Sequence, residues 1–230
     1  MSRTTFRQEM QEVKDDILLL GSMVEDAVMK SVEALRDNNV ERSRLANVND
    51  QYINRKRFEI EATIMTLMAT QQPIARDLRT LAASLDVCTE LERMGDYAKG
   101  IANINIRSGG LSMPTILREI YAMAEKAVDM LHRAMTTFAD EDVETAKAII
   151  RDDDIIDECY TRLYYDAVGS VVQEARNLER ANYIIWVAHN FERLGDRTTN
   201  ICERVIYMVT GERFEAMSVA NDFVISKHEN

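Results

Sequence analysis

Apolar residues recur every three or four positions along most of this chain, which is the spacing of one buried face on an α-helix. The stripe is clearest near the start, where a first helix is predicted from about Thr4 to Arg36. Its inward positions are Ile17, Leu20, Val24, Ala27, Val28, Val32 and Leu35. Five further stretches follow with the same periodicity. The pattern therefore predicts an all-α protein built from six long helices.

The predicted helix ends coincide with residues that interrupt helices. The second helix ends before Pro73, because proline disfavours helix at the preceding residue and suits the first turn of a new one. The segment SGGLSMP, residues 108–114, is the strongest break and is taken as the boundary between two halves. The remaining helices are predicted over about Val40–Thr70, Pro73–Arg107, Thr115–Phe138, Val143–Ala175 and Leu178–Thr210, with Gly211 as the last cap.

The second half of the chain repeats the first. Matched residues lie 100 or 103 positions apart, and they include Met23/Met123, Glu25/Glu125, Asp50/Asp153, Asn54/Asp157 and Glu92/Glu192. Duplication of a three-helix unit explains these matches. The predicted fold is two tandem, pseudo-symmetric three-helix bundles, residues 1–109 and 110–230, with elongated antiparallel helices.

Composition narrows the function. The chain has 230 residues and a formal net charge of −11, which argues against binding nucleic acid because phosphate contacts need basic patches. No stretch is apolar enough to span a membrane, and the N-terminus lacks the pattern of a signal peptide. Cys88, Cys159 and Cys202 are scattered, as in a cytoplasmic protein with reduced, packed thiols.

Two similar acidic stretches carry the candidate chemistry: ELERMGDYAKGIAN, which begins at Glu90, and NFERLGDRTTNICE, which begins at Asn190. Glu192 and Asp196 are four residues apart, so their carboxylates share one helix face, and Asn200 and Glu203 continue that face. Like charges at this spacing weaken an isolated helix by a few tenths of a kcal/mol. A cation or a nearby arginine is expected to offset this repulsion.

Helix geometry brings more carboxylates to the same level. Asp50 and Asn54 lie about 20 residues before the turn near Gln72, and Glu92 and Asp96 lie about 20 after it; at about 1.5 Å per residue the two pairs match in height. The second half gives the same result, and Glu25 of the first helix reaches a similar level. The predicted metal ligands are Asp50, Asn54, Glu92 and Asp96 in the first repeat and Asp153, Asp157, Glu192, Asp196, Asn200 and Glu203 in the second.

An all-oxygen ligand set favours Mg²⁺, Mn²⁺, Ca²⁺ or iron. The second site is expected to bind more tightly, because the first has Asn54, Gly100 and Asn103 where the second has Asp157, Asn200 and Glu203. The competing interpretation is that these acidic residues are ordinary solvated helix surface. A glycine at the same place in both copies, Gly95 and Gly195, indicates a close helix approach, within the chain or to another subunit.

Enzyme signatures are missing from the sequence. The three histidines do not cluster with a cysteine or a serine nucleophile, and a ferritin-type di-iron site would need two Glu-x-x-His pairs. Trp186 lies at helical spacing with apolar neighbours and is predicted to be in the core. Two alternatives stay open: a metal-dependent hydrolase that uses the acidic stripe, and a helical scaffold without metal.

The chain resembles the PhoU family of phosphate-uptake regulators. The resemblance rests on the paired Glu-Arg-x-Gly-Asp stretches, on QPIARDLR from Gln72 to Arg79, and on the segments Val24–Ala27 and Arg151–Asp157. It implies two three-helix bundles, a homodimer and no catalytic activity. It also implies metal, iron or zinc in some members, at motifs that map to Glu92/Asp96, Glu192/Asp196, Asp153/Asp157 and Asp50/Asn54. The implied partners are the ATPase of the phosphate ABC transporter and the phosphate sensor histidine kinase, through which the family dampens phosphate import and the starvation response. A third alternative is an accessory subunit of a different phosphate permease.

Overall fold

The structure, a computed structural model, describes residues 3–111 and 113–214. Regular structure in these two ranges is helical throughout, which confirms the all-α prediction. The helices are α1 (Arg3–Arg36), α2 (Val40–Gln71), α3 (Arg76–Ser108), α4 (Pro114–Asp140), α5 (Val143–Gln173) and α6 (Leu178–Thr210), and a 3₁₀ turn, Ala175–Asn177, precedes α6. The last part of the predicted second repeat, residues 215–230, lies outside the described residues.

Equivalent caps begin the second helix of each repeat. The side chain of Asn39 accepts a hydrogen bond from the backbone N–H of Arg42 at 3.0 Å. Asp142, its counterpart, accepts from the N–H groups of Glu144 and Thr145 at 3.0 and 3.1 Å. A capping side chain of this kind stabilises a helix by about 1 kcal/mol. The duplication therefore extends to the local signals that start helices.

The predicted start of the third helix at Pro73 is wrong by three residues. Gln72 adopts a left-handed backbone conformation, with φ 47°, and ends α2. Ala75 also has a positive φ, of 48°, so α3 cannot begin before Arg76. The reversal from α2 to α3 thus uses the whole of residues 72–75, whereas Gly211 caps α6 as predicted, with φ 81°.

One hydrophobic core runs through both helix triplets. Apart from Leu111, which follows α3, the largest fully buried side chains come from five of the six helices and include Ile17, Ile60, Leu91, Phe138 and Phe191. Across the triplets α3 packs on α6 and α1 packs on α4, so equivalent helices contact each other. Helix α2 packs on α1 and α3, and α5 packs on α4 and α6, so these two helices lie on outer sides. The seams α2/α3 and α5/α6 hold the predicted acidic sites.

The cysteines are buried and free, as predicted. Burial raises the pKa of Cys88 and of Cys202 to about 12, so neither is a ready thiolate nucleophile at neutral pH. None of the helices in residues 3–111 and 113–214 has the length and apolar character needed to cross a bilayer.

Candidate metal centre

The α5/α6 seam brings together four of the six carboxylate and amide residues predicted for the second site. Asp153 and Asp157 project from α5, while Glu192 and Asp196 project from α6. The charges of Asp157, Asp196 and Glu192 all act on Asp153, which places the four groups in one electrostatic cluster. We call these four residues the second cluster.

The carboxylates of the second cluster are partly buried and repel one another, which raises their pKa values. Burial, followed by repulsion from Asp157, Asp196 and Glu192, raises the pKa of Asp153 to about 7. Burial first and Asp196 next also raise the pKa of Asp157 and of Glu192. At neutral pH a proton or a cation would therefore relieve the repulsion.

Oδ1 of Asp153 is buried without a hydrogen bond from the described part of the chain. Oε2 of Glu192 is also buried, and Nδ1 of His189 lies 2.9 Å from it, a contact that is an ion pair only when the imidazole is protonated. A buried carboxylate oxygen with no donor is costly, so Oδ1 of Asp153 is suited to receive a ligand.

Gly195 lets the carboxylate of Asp153 reach the backbone of α6. A Cβ atom built on Gly195 would meet Oδ1 of Asp153 at a distance below any real contact, and Cγ2 of Ile156 at 3.5 Å. Gly95 plays a similar part in the first repeat, where the nearest atoms, 3.2 Å away, belong to Ile53. The predicted close helix approach is therefore confirmed, and it lies within the chain.

Replacing this glycine provides a test of the second cluster. In Gly195→Ala the carboxylate of Asp153 must rotate away, and we expect the affinity for Mn²⁺, measured by calorimetry, to fall about tenfold or more. The stability should change by less than about 1 kcal/mol, because alanine favours helix by about that amount. Gly95→Ala is the matched control and should keep the affinity. Equal affinity in both variants would show that Asp153 is not a ligand.

The corresponding residues of the first repeat, Asp50, Asn54, Glu92 and Asp96, form the first cluster, which also contains the positively charged side chain of Lys99. Asp50 is 6% exposed, and its Oδ2 accepts hydrogen bonds from Nζ of Lys99 at 2.8 Å and from Nδ2 of Asn54 at 3.2 Å. Burial and then Asp96 raise the pKa of Glu92, while Arg57 lowers it. The predicted residues Asp50, Asn54, Glu92 and Asp96 therefore do come together, with two basic side chains among them.

The basic side chains distinguish the two clusters. The duplicated positions place Thr199 where the first repeat has Lys99, and Tyr160 where it has Arg57. The ring of Tyr160 packs beside His189, with ring centres 6.0 Å apart. Two positive charges of the first cluster are thus replaced by neutral groups in the second, which leaves the second cluster more acidic.

Other predicted ligands face elsewhere. Asn200 donates to Oε2 of Glu90, on α3, at 3.3 Å. Glu203 lines a small cavity at the end of α6 with Arg213 and Phe214. Glu25, expected at the level of the first cluster, lies beside His132 of α4, 3.4 Å away. The structure therefore does not place Asn200 and Glu203 beside the four carboxylates.

The donor chemistry of the second cluster fits a hard cation, because all its potential ligand atoms are carboxylate oxygens. The side chains do not form a complete ligand shell: within the described ranges no three His, Cys, Asp or Glu residues are grouped closely enough to hold a metal ion. Asp153, Asp157, Glu192 and Asp196 are nevertheless the residues that would hold one, and the cation would neutralise their repulsion.

Trp186 is not in the core, contrary to prediction. Its side chain is 48% exposed on α6, at the seam with α3. Arg193, which follows Glu192 in the sequence, stacks over the ring of Tyr97, 4.5 Å from its centre. Apolar periodicity gives the direction of a side chain on its helix, but not where the neighbouring helix ceases to cover it.

The PhoU domain profile matches the chain twice, at residues 17–104 and 120–205, so each match falls on one helix triplet. The chain belongs to the PhoU family. The two matches cover well over half of its length, in agreement with the resemblance seen in the short motifs.

Relatives in the PhoU family match almost end to end. A phosphate-specific transport system accessory protein PhoU homolog of Clostridium acetobutylicum is 30% identical over 216 residues, which are 94% of this chain and 99% of the relative. The phosphate-specific transport system accessory protein PhoU of Escherichia coli K12 is 25% identical over 91% of this chain and 87% of its own.

Crystal structures from the PhoU family share the fold. PhoU from Pseudomonas aeruginosa superposes with a TM-score of 0.84 at 29% identity, over 90% of this chain and all of that one. The phosphate transport system regulatory protein PhoU from Streptococcus pneumoniae gives 0.83 at 28% identity, over 91% and 99%. These matches confirm the predicted pair of three-helix bundles.

Proposed function

We propose that this chain is a cytoplasmic, non-enzymatic regulator that lowers phosphate uptake and the phosphate-starvation response. Its proposed partners are the ATPase of the phosphate ABC transporter and the phosphate sensor histidine kinase, which it binds as a homodimer. One observation carries the proposal: relatives that match nearly the full chain are named as accessory or regulatory proteins of phosphate transport.

The chemistry of the described side chains supports a role without catalysis. The buried thiols of Cys88 and Cys202 have pKa values raised to about 12, which makes them poor nucleophiles. His132 and His189 each face a glutamate, at 3.4 and 2.9 Å. The second cluster offers carboxylates alone, a donor set that suits the binding of a hard cation.

We further propose that the second cluster binds a divalent cation, with Mg²⁺, Mn²⁺, iron and zinc as candidates. Support comes from the raised pKa of Asp153 and from its buried, unpaired Oδ1. The first cluster is proposed to bind metal weakly or not at all, because Lys99 already supplies a positive charge 2.8 Å from Asp50. Cation loading at α5/α6 would then set the charge of one outer surface of the molecule.

A pull-down tests both parts of this proposal. A tagged chain is recovered from cells grown at high and at low phosphate, and the transporter ATPase and the sensor kinase are quantified. We expect more of both at high phosphate, and at least about a threefold loss in Glu192→Gln/Asp196→Asn. The matched control is Glu92→Gln/Asp96→Asn, which should bind normally. Recovery of neither partner refutes the regulatory role; equal recovery from both variants refutes the role of the cation.

A further inference from the structure

A groove on the α3/α6 seam has a charge opposite to that of the whole protein. It measures about 350 Å³, within the range of small-ligand sites, and crosses from the first repeat to the second. Its lining residues are Gly100, Asn103, Ile104, Arg107, Trp186, His189, Asn190 and Arg193. This described lining includes two arginines, one histidine and no carboxylate, in a chain with net charge −11.

The arginines of the groove are not engaged by acidic side chains. Arg107 is exposed near the end of α3, and neither it nor Arg193 forms an ion pair within residues 3–111 and 113–214. The contact of Arg193 with Tyr97 is a stacking contact, which leaves the guanidinium edge as a donor. Guanidinium groups bind phosphoryl oxygens through paired hydrogen bonds, so two of them suit such an anion.

The polar neighbours add donors of the same kind. Nδ1 of His189 faces Glu192 at 2.9 Å, so Nε2 is the ring nitrogen that remains for a ligand. Oδ1 of Asn103 accepts from Asn47 at 2.7 Å, so Nδ2 remains as its donor. Gly100 leaves room for the side chain of Asn190, whose Oδ1 lies 3.5 Å from where a Cβ would be.

Trp186 gives the groove an aromatic wall. The indole is about half exposed beside these basic side chains. An exposed ring next to arginines is the combination that binds the base and the phosphate of a nucleotide. A single inorganic phosphate would engage the arginines without contacting this wall, and the two ligands can therefore be told apart.

We propose that this groove binds the phosphoryl group of a small anion through Arg107 and Arg193, with Trp186 contacting any organic portion. Neither the acidic clusters nor a protein partner is required. The proposal can therefore succeed or fail independently of the proposed regulatory function.

The chain offers a direct readout, because Trp186 is its single tryptophan. Full-length protein is titrated with inorganic phosphate, AMP and adenosine, and binding is followed by tryptophan fluorescence and by calorimetry. We expect saturable binding of AMP or phosphate, and about tenfold or greater weakening in Arg107→Gln and in Arg193→Gln. Arg180→Gln is the control, since Arg180 is exposed on the same helix and does not line the groove.

The three titrations distinguish the possible ligands and can also overturn the proposal. Binding of phosphate and AMP alike supports a site for the phosphoryl group itself, and binding of AMP alone supports a site for an organic phosphate. Adenosine binding as well as AMP overturns the proposal, as does an equal loss in Arg180→Gln or the absence of saturable binding by any probe. Arg107→Gln keeps the test valid if Arg193→Gln is poorly folded, because Arg107 is exposed.

Discussion

Metal-free protein is expected to lose stability as the pH rises from about 4 to about 7, and Asp153→Asn is expected to remove most of that loss. The pKa of Asp153 is about 7 in the folded chain, against an ordinary value of 3.8. Between these values the folded state holds a proton that the unfolded state has released. Stability from this group is therefore fully present below pH 4 and is lost as the pH rises through 7.

The pKa shift of Asp153 sets an upper limit on this loss of stability. About three pH units at about 1.4 kcal/mol each give an upper limit near 4 kcal/mol, and solvent screening at a partly exposed group lowers it to about 1–3 kcal/mol. Urea unfolding in the presence of a chelator, at pH 5, 6, 7 and 8, measures it. Asp153→Asn should be more stable than the parent at pH 8, and this advantage should shrink steadily at lower pH and vanish only near pH 4.

The matched control for this prediction is Asp166→Asn. Asp166 is exposed on the same helix and is not part of the cluster, so its replacement should change stability by less than about 0.5 kcal/mol at every pH. If Asp153→Asn followed the pH profile of the parent protein, repulsion within the second cluster would not be the source of the slope.

Removing the positive charge of Lys99 from the first cluster should lower stability, whereas Asp153→Asn in the second cluster should raise it. In Lys99→Thr/Asn54→Asp both positions take the residues of the second repeat, Thr199 and Asp157. Asp50 is only 6% exposed and loses its positively charged partner. The free energy of unfolding of the metal-free protein should therefore fall by about 1–2 kcal/mol, a modest value because Lys99 is partly exposed. Elemental analysis after dialysis against Mn²⁺ should show one more ion per chain than the parent.

A surface lysine serves as the control here. Lys30 pairs with Asp26 at 2.6 Å, with both side chains more than half exposed, and Lys30→Thr should leave stability and metal content nearly unchanged. An unchanged metal content in the double variant would show that Lys99 is not what excludes a cation from the first cluster.

Most helix ends were predictable because periodicity and helix-breaking residues pointed to the same places, whereas Pro73 put the start of α3 three residues too early. The meeting of Asp153 with Glu192 followed from counting residues on either side of a turn. Rotation about the helix axis could not be counted in this way, so Asn200 was assigned to the cluster although it reaches Glu90. For the same reason Trp186 was assigned to the core although it is exposed.

Lys99 was the important residue that sequence reasoning missed, and a signal for it was present. Alignment of the two repeats pairs Lys99 with Thr199 and Arg57 with Tyr160, so the sequence alone contains a difference of two positive charges between them. The pairing of Lys99 with Asp50 across two helices, in contrast, depends on how α2 and α3 are rotated against each other, which periodicity does not specify.

The packing of α3 on α6 and of α1 on α4 has a consequence for how the two acidic seams came to differ. Contacts between equivalent helices are those of a symmetric pair of identical subunits, here joined by one connection. In such a pair of separate subunits, any substitution would appear at both seams at once. When both copies lie in one chain, each seam can differ from the other, so one can carry Lys99 while the other carries the neutral Thr199.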